Sequence, residues 1–179
     1  MSVLEFVIGY DLEEFEEYYR GLTDLHTYYK TRRQREPGFN GLGDDERGHI
    51  ESDPSHLIVW KDQDQIMGHA VWHETSTDEM TKGDPRSDDD RETLQRLRGG
   101  RRNNLAELHE VWLQAEHRRR GNGKRFFSFF EQFVRERDLD GIVYYSEDPA
   151  AIALCRQRGY GEGYLEREGW YVFVALFGT

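Results

Sequence analysis

The sequence predicts an α+β fold, and three observations support this class. Short apolar runs of strand length alternate with amphipathic helical segments along the 179 residues. Two pairs of apolar runs are close enough in sequence to form antiparallel hairpins. One further pair flanks a whole helix, which requires a parallel crossover between the two strands. The length predicts a single domain over residues 1–179 that is large enough to bury a core.

The first half of the chain is predicted to contain three strands and two helices. The helices begin after Asp11, share apolar residues at helical spacing, and are separated by Gly21. A segment rich in Gly, Asp and Ser, residues 38–55, is predicted to be a loop. The strands are predicted at residues 3–8, 56–61 and 66–73.

The second half begins with a polar insertion, residues 74–104, which is predicted to be a lid, a binding loop or a mobile excursion. Within it, residues 88–98 carry acids at the start and Arg at the end, which predicts a short helix. The following elements alternate between strands and helices. Strands are predicted at residues 105–113, 141–146, 163–167 and 170–177, and helices at residues 123–137 and 149–157.

The composition excludes several classes of function. A net charge of −11 repels nucleic acid and anionic membranes, so neither is an expected partner. Cys155 is the only cysteine, so an internal disulfide and a cysteine-based metal site are excluded. No apolar run approaches the roughly 20 residues of a membrane span. We therefore expect a cytoplasmic protein.

A basic, glycine-containing turn is the most informative motif. Residues 118–123 read Arg-Arg-Arg-Gly-Asn-Gly, after a predicted strand and before an aromatic amphipathic helix. Backbone N–H groups at a helix N-terminus favour phosphate, and glycine permits close approach. The alternative is a basic connection that pairs with surface carboxylates.

Two other phosphate motifs do not fit this turn. The P-loop requires Ser or Thr after Gly-Lys, but Arg125 follows Lys124. The dinucleotide fingerprint requires a third glycine, where this chain has Phe126.

The turn resembles the Arg/Gln-x-x-Gly-x-Gly/Ala signature of the GNAT superfamily of N-acetyltransferases. Residues 148–160 also resemble the family's downstream Asn-x-x-Ala-x-x-x-Tyr-x-x-x-Gly-Phe segment. The resemblance implies a mixed, mostly antiparallel central sheet flanked by helices. It also implies a V-shaped splay between the strands near Leu113 and Val143.

By this resemblance the cosubstrate is acetyl-CoA. Its pantetheine arm would pair with the preceding strand, and its pyrophosphate would lie on the turn. Arg101 and Arg102 would reach the nucleotide 3′-phosphate, although pairing with nearby carboxylates is the favoured alternative. The implied coenzyme-binding residues are Val111, Trp112, Leu113, Arg118, Arg119, Arg120, Gly121, Asn122, Gly123, Lys124 and Asp148.

The candidate general bases lie on the strand before the turn. Strand alternation places Glu107 and His109 on the face opposite Glu110. In the resembling enzymes the positions of Glu107 and His109 serve as the base or hold a base water. Glu107 is the first choice, with a salt bridge or a contact to substrate charge as its alternative. For His109 the alternative is a structural histidine.

Cys155 occupies the position where the family often has a tyrosine that protonates the departing thiolate. A cysteine there is either a proton donor or a buried small apolar side chain, and the second interpretation is favoured. Water, Tyr144, Tyr145 or Tyr160 would then substitute as the acid. Asp148 replaces the family's Asn, which is expected to weaken a helix cap or a coenzyme contact.

The histidines show no metal-binding pattern. His69 and His73 are four residues apart but lie in a predicted strand, without a third ligand nearby in the sequence. We expect no metal.

These observations predict an N-acetyltransferase that moves an acetyl group from acetyl-CoA directly to a primary amine of a small molecule or peptide. The alternatives are a non-catalytic CoA-binding module and a domain that docks a partner through the insertion. A homodimer is left open. The acceptor pocket is expected to use the insertion, the closing hairpin and Tyr18, Tyr19, Tyr28 and Tyr29.

Overall fold

The structure is a computed structural model that describes residues 3–32, 38–76, 88–100 and 103–178. Within these ranges the chain forms six α-helices and seven strands. The helices are α1 (Leu12–Arg20), α2 (Thr23–Arg32), α3 (Asp44–Ser52), α4 (Asp88–Leu97), α5 (Asn122–Glu136) and α6 (Pro149–Gln157). The strands are β1 (Glu5–Ile8), β2 (Leu57–Asp62), β3 (Gln65–Ser76), β4 (Asn104–Leu113), β5 (Gly141–Ser146), β6 (Gly161–Leu165) and β7 (Trp170–Leu176). Among the described residues, no helix is long and apolar enough to cross a membrane.

The strands form one sheet in the order β1-β2-β3-β4-β5-β7-β6. Antiparallel pairing joins β1 to β2, β2 to β3, β5 to β7 and β6 to β7, whereas β4 and β5 are parallel. The predicted α+β class, with a mixed and mostly antiparallel sheet, is therefore confirmed. The parallel ladder pairs residues 105–108 with residues 141–144. It ends one residue beyond the Glu107–Val143 pair, and β4 continues to Leu113.

Two compact units make up the chain. The first contains Met1–Trp72 and Glu110–Arg118, and the second contains His73–His109 and Arg119–Thr179. Strands β3 and β4 each contribute residues to both units. The expectation of one domain over residues 1–179 stays a prediction.

The first unit is built around helices α1 and α2. Asp11 caps α1, since its Oδ1 accepts a hydrogen bond from the N–H of Glu14 at 2.8 Å. Gly21 ends α1, as predicted, and its N–H bonds back to the carbonyl of Tyr18. Phe15 and Tyr19 are buried on the inner face of α1 and join the apolar core of this unit.

Helix α3 corrects the prediction of a loop over residues 38–55. Its first turn carries Asp44, Asp45 and Glu46, whose negative charges stabilise a helix N-terminus. Ile50 is buried in the core of the first unit. A single buried anchor in an otherwise polar segment produces no clear apolar periodicity, so the sequence pattern does not reveal this helix.

Gly68 lies in β3 where the backbone of β4 comes very close. A Cβ atom at this position would lie 2.7 Å from the carbonyl oxygen of Trp112 and 3.3 Å from Cα of Leu113. Nearby, the N–H of Gln114 donates to the carbonyl of Met67 at 2.9 Å. The absent side chain at position 68 therefore permits this approach.

The second unit contains the predicted aromatic helix. All five apolar residues of the expected stripe on α5 are buried, namely Phe126, Phe127, Phe130, Phe133 and Val134. The predicted short helix in the insertion is confirmed as α4, in which Leu94 is buried. Residues 77–87 and 101–102 lie outside the described residues, so the lid and the roles expected for Arg101 and Arg102 stay predictions.

Candidate active site

The basic turn has the backbone geometry of an anion-binding turn. Arg119 and Gly121 have φ angles of +61° and +82°, in the left-handed region. Helix α5 begins immediately afterwards, and no side chain caps its N-terminus at Gly121. The N–H groups of Asn122, Gly123 and Lys124 belong to the first turn of α5, where the helix dipole is positive. This arrangement suits a phosphate group.

Gly123 lies where α5 packs closely against α6. A Cβ atom at Gly123 would lie 3.2 Å from Cδ2 of Leu154, which is tighter than ordinary van der Waals contact. Gly121 has open space around it instead, so its glycine is needed for the positive φ angle. The two glycines of the motif therefore differ: a side chain at position 121 is opposed by the backbone angle, and one at position 123 would press on Leu154.

The basic side chains around this turn are solvent-exposed at Arg119, Arg120 and Lys124. Across residues 3–32, 38–76, 88–100 and 103–178, no ion pair joins these three side chains to a carboxylate. The alternative of a connection held by surface carboxylates therefore has no support among the described residues.

Arg118 behaves differently from the other three cations. Its guanidinium lies 4.6 Å from the centroid of the Trp112 ring, and its Nε donates to the carbonyl oxygen of Leu113 at 2.7 Å. Leu113 belongs to the strand edge that is expected to pair with the pantetheine arm. Arg118 thus occupies the carbonyl oxygen of Leu113, one of the hydrogen-bond acceptors of that strand edge.

Glu107 lies on β4 within the parallel ladder, opposite Val143 of β5. Its Oε2 atom is 3.0 Å from Nε2 of His73, which lies on β3. The two side chains are only 19% and 17% exposed, respectively, so both are sheltered while solvent still reaches them. A sheltered carboxylate held by an imidazole has the geometry of a general acid–base pair.

His109 completes a cluster with these two residues. Its ring centroid is 5.8 Å from that of His73. One ligand atom from each of His73, Glu107 and His109 lies within 4.8 Å of the others. The sequence predicts that Glu107 and His109 share a face, but it does not predict His73 beside them. The sequence does not reveal that β3 and β4 are neighbours in the sheet, and this adjacency brings His73 to the other two residues.

Glu110 lies outside this cluster and is buried in the first unit. Its Oε1 atom accepts hydrogen bonds from the hydroxyls of Tyr19, at 3.1 Å, and Tyr29. Its Oε2 atom is 2.5 Å from Nε2 of His69, and Nδ1 of the same ring is 3.2 Å from the hydroxyl of Tyr18. Sequence reasoning does not identify this network, because it spans four separate elements, α1, α2, β3 and β4.

Burial of Glu110 by itself raises the pKa of its carboxyl group. Hydrogen bonds from His69, Tyr29 and Tyr19, together with the charge interaction with His69, outweigh burial and hold the pKa below its ordinary value. The network therefore keeps a buried carboxylate charged. Tyr18, Tyr19 and Tyr29, which were expected to line an acceptor pocket, belong to this network.

Cys155 is fully buried on α6, and burial raises the pKa of its thiol to about 12. This environment agrees with the favoured interpretation of a small apolar side chain. Asp148 caps the same helix, because its Oδ2 accepts from the N–H of Ala151 at 3.0 Å. The helix cap is therefore formed with Asp148, and the expected effect on a coenzyme contact stays a prediction.

The three tyrosines considered as substitute acids differ in their surroundings. The hydroxyl of Tyr160 donates to Glu131 at 2.5 Å, and Arg158 binds the same carboxylate through two hydrogen bonds. Burial, with the neighbouring Glu131 carboxylate, raises the pKa of Tyr160. Tyr144 is buried, and Tyr145 packs against the core of the second unit.

Comparison with known proteins identifies the family. The model of the acetyltransferase (GNAT) family matches residues 13–160. The chain therefore belongs to the GNAT acetyltransferase family. A search among curated proteins found no significant match.

Solved structures share this fold at low sequence identity. A chain in the structure of the NatC complex bound to Gag peptide and CoA is 12% identical in sequence, with a TM-score of 0.62. The match covers 99% of this chain and 100% of that chain. The mosquito protein arylalkylamine N-acetyltransferase like 5b is 13% identical, with a TM-score of 0.61. The match covers 98% of this chain and 100% of that chain. FeeM, an N-acyl amino acid synthase from uncultured soil microbes, is 11% identical, with a TM-score of 0.62 and coverage of 98% and 92%. These likenesses show the fold.

Proposed function

We propose that this protein is an N-acetyltransferase that moves an acetyl group from acetyl-CoA directly to a primary amine of a small molecule or peptide. The observation that carries the proposal is the sheltered Glu107 carboxylate, held 3.0 Å from His73 on the strand that leads into the basic turn. A coenzyme-binding motif and a candidate base thus follow one another along a single stretch of chain.

The coenzyme would use two segments that lie close together in the sequence. The N–H groups of Asn122, Gly123 and Lys124 would bind the pyrophosphate, and Arg119 and Arg120 would add positive charge. The backbone of residues 111–113 would pair with the pantetheine arm. The carbonyl of Leu113 would then exchange its hydrogen bond with Arg118 for one with the arm. The CoA in the NatC complex supports this choice of cosubstrate.

Glu107 would act as the general base. The amine nitrogen attacks the thioester carbonyl carbon, and its proton passes to the Glu107 carboxylate directly or through a water molecule. Collapse of the tetrahedral intermediate breaks the C–S bond and releases the CoA thiolate, which takes a proton. The interaction with His73 holds the carboxylate in a fixed orientation, which lowers the cost of aligning it with the amine.

The acceptor is proposed to be an amine with cationic character in solution. The chain's net charge of −11 would attract such a substrate. The Gag peptide in the NatC complex and the arylalkylamine acetyltransferase indicate the range to test, from peptide N-termini to small amines.

A panel of amines with acetyl-CoA, monitored by release of the CoA thiol, tests the proposal. Replacing Glu107→Gln should lower kcat/KM by about 10²- to 10⁴-fold while the Kd for acetyl-CoA stays nearly constant. Glu74→Gln is the matched control, because Glu74 lies on β3 and is half-exposed, with Arg137 at 3.9 Å. An unchanged rate in Glu107→Gln would eliminate the proposed base.

The second candidate is a CoA-binding module without catalysis. The burial of Cys155, at the position where the family often has an acidic tyrosine, favours this candidate. Calorimetric binding of CoA without acetylation of any amine in the panel would support it. Turnover of one amine would exclude it.

A further inference from the structure

The cluster of His73, Glu107 and His109 brings two imidazoles and one carboxylate to one place on the second unit. We propose that this cluster binds a divalent transition-metal ion of the zinc class. The proposal depends on the arrangement of these three side chains and not on the acetyl-transfer reaction. It also reverses the expectation that no metal is bound. That expectation considered His69 and His73 along one strand and not histidines on two neighbouring strands.

The distances between the ligand atoms fit a small ion. Tetrahedral zinc with bonds of about 2.0–2.1 Å has ligand atoms about 3.3 Å apart. Nε2 of His73 and Oε2 of Glu107 are 3.0 Å apart, and all three ligand atoms lie within 4.8 Å of one another. The first pair is already at ligand spacing. A small rotation of the third side chain would bring it to the same ion.

The donor set selects the class of metal. Two imidazole nitrogens and one carboxylate oxygen match three-ligand zinc sites, which keep a fourth position for water. Magnesium and calcium prefer oxygen ligands, so two imidazoles disfavour them. Among common divalent ions that accept imidazole, Zn²⁺ is the suitable probe, and Co²⁺ reports its geometry by visible absorption.

The scaffold and the access route also suit an ion. Glu107 and His109 are two residues apart on β4 and share a face, and His73 lies on the neighbouring strand β3. Glu107 lies within the ladder of β4 and β5, so its backbone is fixed. The side chain of His109 is exposed, whereas those of His73 and Glu107 are sheltered. An ion would therefore enter from solvent past His109.

One consequence rests on the proposed function. An ion bound to the Glu107 carboxylate would occupy the oxygen that accepts the amine proton. Acetyl transfer would then be inhibited by Zn²⁺ and restored by a chelator. The metal site would thus act as a reversible block of the base.

Calorimetric titration of the chelator-treated full chain with ZnCl₂ tests the site. We expect one equivalent to bind, and each of His73→Ala, Glu107→Gln and His109→Ala to weaken the Kd by at least about tenfold. His117→Ala and Glu74→Gln are the controls, because each removes an imidazole or carboxylate outside the cluster, and they should retain the Kd of the parent. Co²⁺ should give the visible spectrum of a four-coordinate ion in the parent, and this spectrum should be lost in His109→Ala.

Two results would overturn the proposal. One is the absence of Zn²⁺ binding to the folded parent. The other is binding that His117→Ala weakens as much as the three cluster variants do, which would show adventitious binding by surface side chains. Circular dichroism of each variant establishes that it is folded. If Zn²⁺ binds as expected but Glu107→Gln retains acetyl transfer, the metal site stands and the proposed base fails.

Discussion

The carboxylate of Glu110 lies 2.5 Å from Nε2 of His69, and both side chains are buried in the first unit. Tyr19 and Tyr29 donate to the same carboxylate, and Tyr18 approaches the other nitrogen of the imidazole. Three side chains, from α1, α2 and β3, therefore bind one residue of β4, and Tyr18 of α1 joins them through His69. Because a half-satisfied buried polar network is costly, this cluster should respond sharply to substitution and to pH.

Replacing Glu110→Ala should lower the free energy of unfolding by about 3–5 kcal/mol, because the change leaves buried donors without their acceptor. Urea denaturation monitored by circular dichroism measures the loss. Glu17→Ala is the control, since Glu17 is exposed on α1 and should change stability by less than about 0.5 kcal/mol. Equal stabilities of the two variants would contradict the importance of the buried network.

The stability of the protein should fall in acid partly through Glu110. The pKa of Glu110 in the folded chain is held below the 4.5 of a free Glu, so the unfolded chain takes up the proton first as the pH falls. The stabilisation is present above pH 4.5 and decreases as the pH falls through the lowered folded pKa. Urea unfolding at a series of pH values from 7 downward, in the parent and in Glu110→Gln, isolates this contribution. Parallel curves for the two proteins would refute it.

Gly121→Ala should weaken coenzyme binding and cost about 1–2 kcal/mol of stability, because a Cβ atom opposes the φ angle of +82°. Calorimetric titration with CoA and thermal unfolding provide the two measurements. Gly48→Ala is the matched control. Gly48 lies inside α3 with open space around it, so alanine there should stabilise the helix by about 0.5–1 kcal/mol. If Gly121→Ala retains both properties, the left-handed turn is not needed.

The single thiol should be almost unreactive in the native protein. Cys155 is fully buried, and its pKa of about 12 leaves very little thiolate at pH 8. A disulfide reagent at pH 8 should therefore modify the native chain slowly, and one thiol per chain should react rapidly in denaturant. Rapid modification of the folded chain would show that α6 opens readily. The slow reaction would also keep the thiol-release assay free of background.

The sequence predicted those elements whose signals are local. The bounds of α6, residues 149–157, agree with the structure because Asp148 caps the helix and Pro149 opens it. The hairpin of β2 and β3 was predicted from a polar turn between two apolar runs. Strand periodicity likewise predicts that Glu107 and His109 share a face of β4, and both side chains join the cluster with His73.

Features that depend on neighbours across the sheet could not be predicted. A periodic pattern gives the face of a residue but not the strand that lies beside it, so His73 was not paired with Glu107. For the same reason His69 was not expected beside Glu110. Helix α3 was missed because its charges produce a polar segment with one buried anchor, Ile50.

Gly68 limits which substitutions the fold can accept at this position. A methyl group at that position would lie 2.7 Å from a backbone oxygen, and no rotamer change can move a backbone oxygen aside. The test is a library in which residues 66–70 are randomised and folded variants are selected. The neighbouring positions should accept several apolar residues, whereas only glycine should be recovered at position 68. Natural descendants of this chain would be subject to the same restriction at position 68.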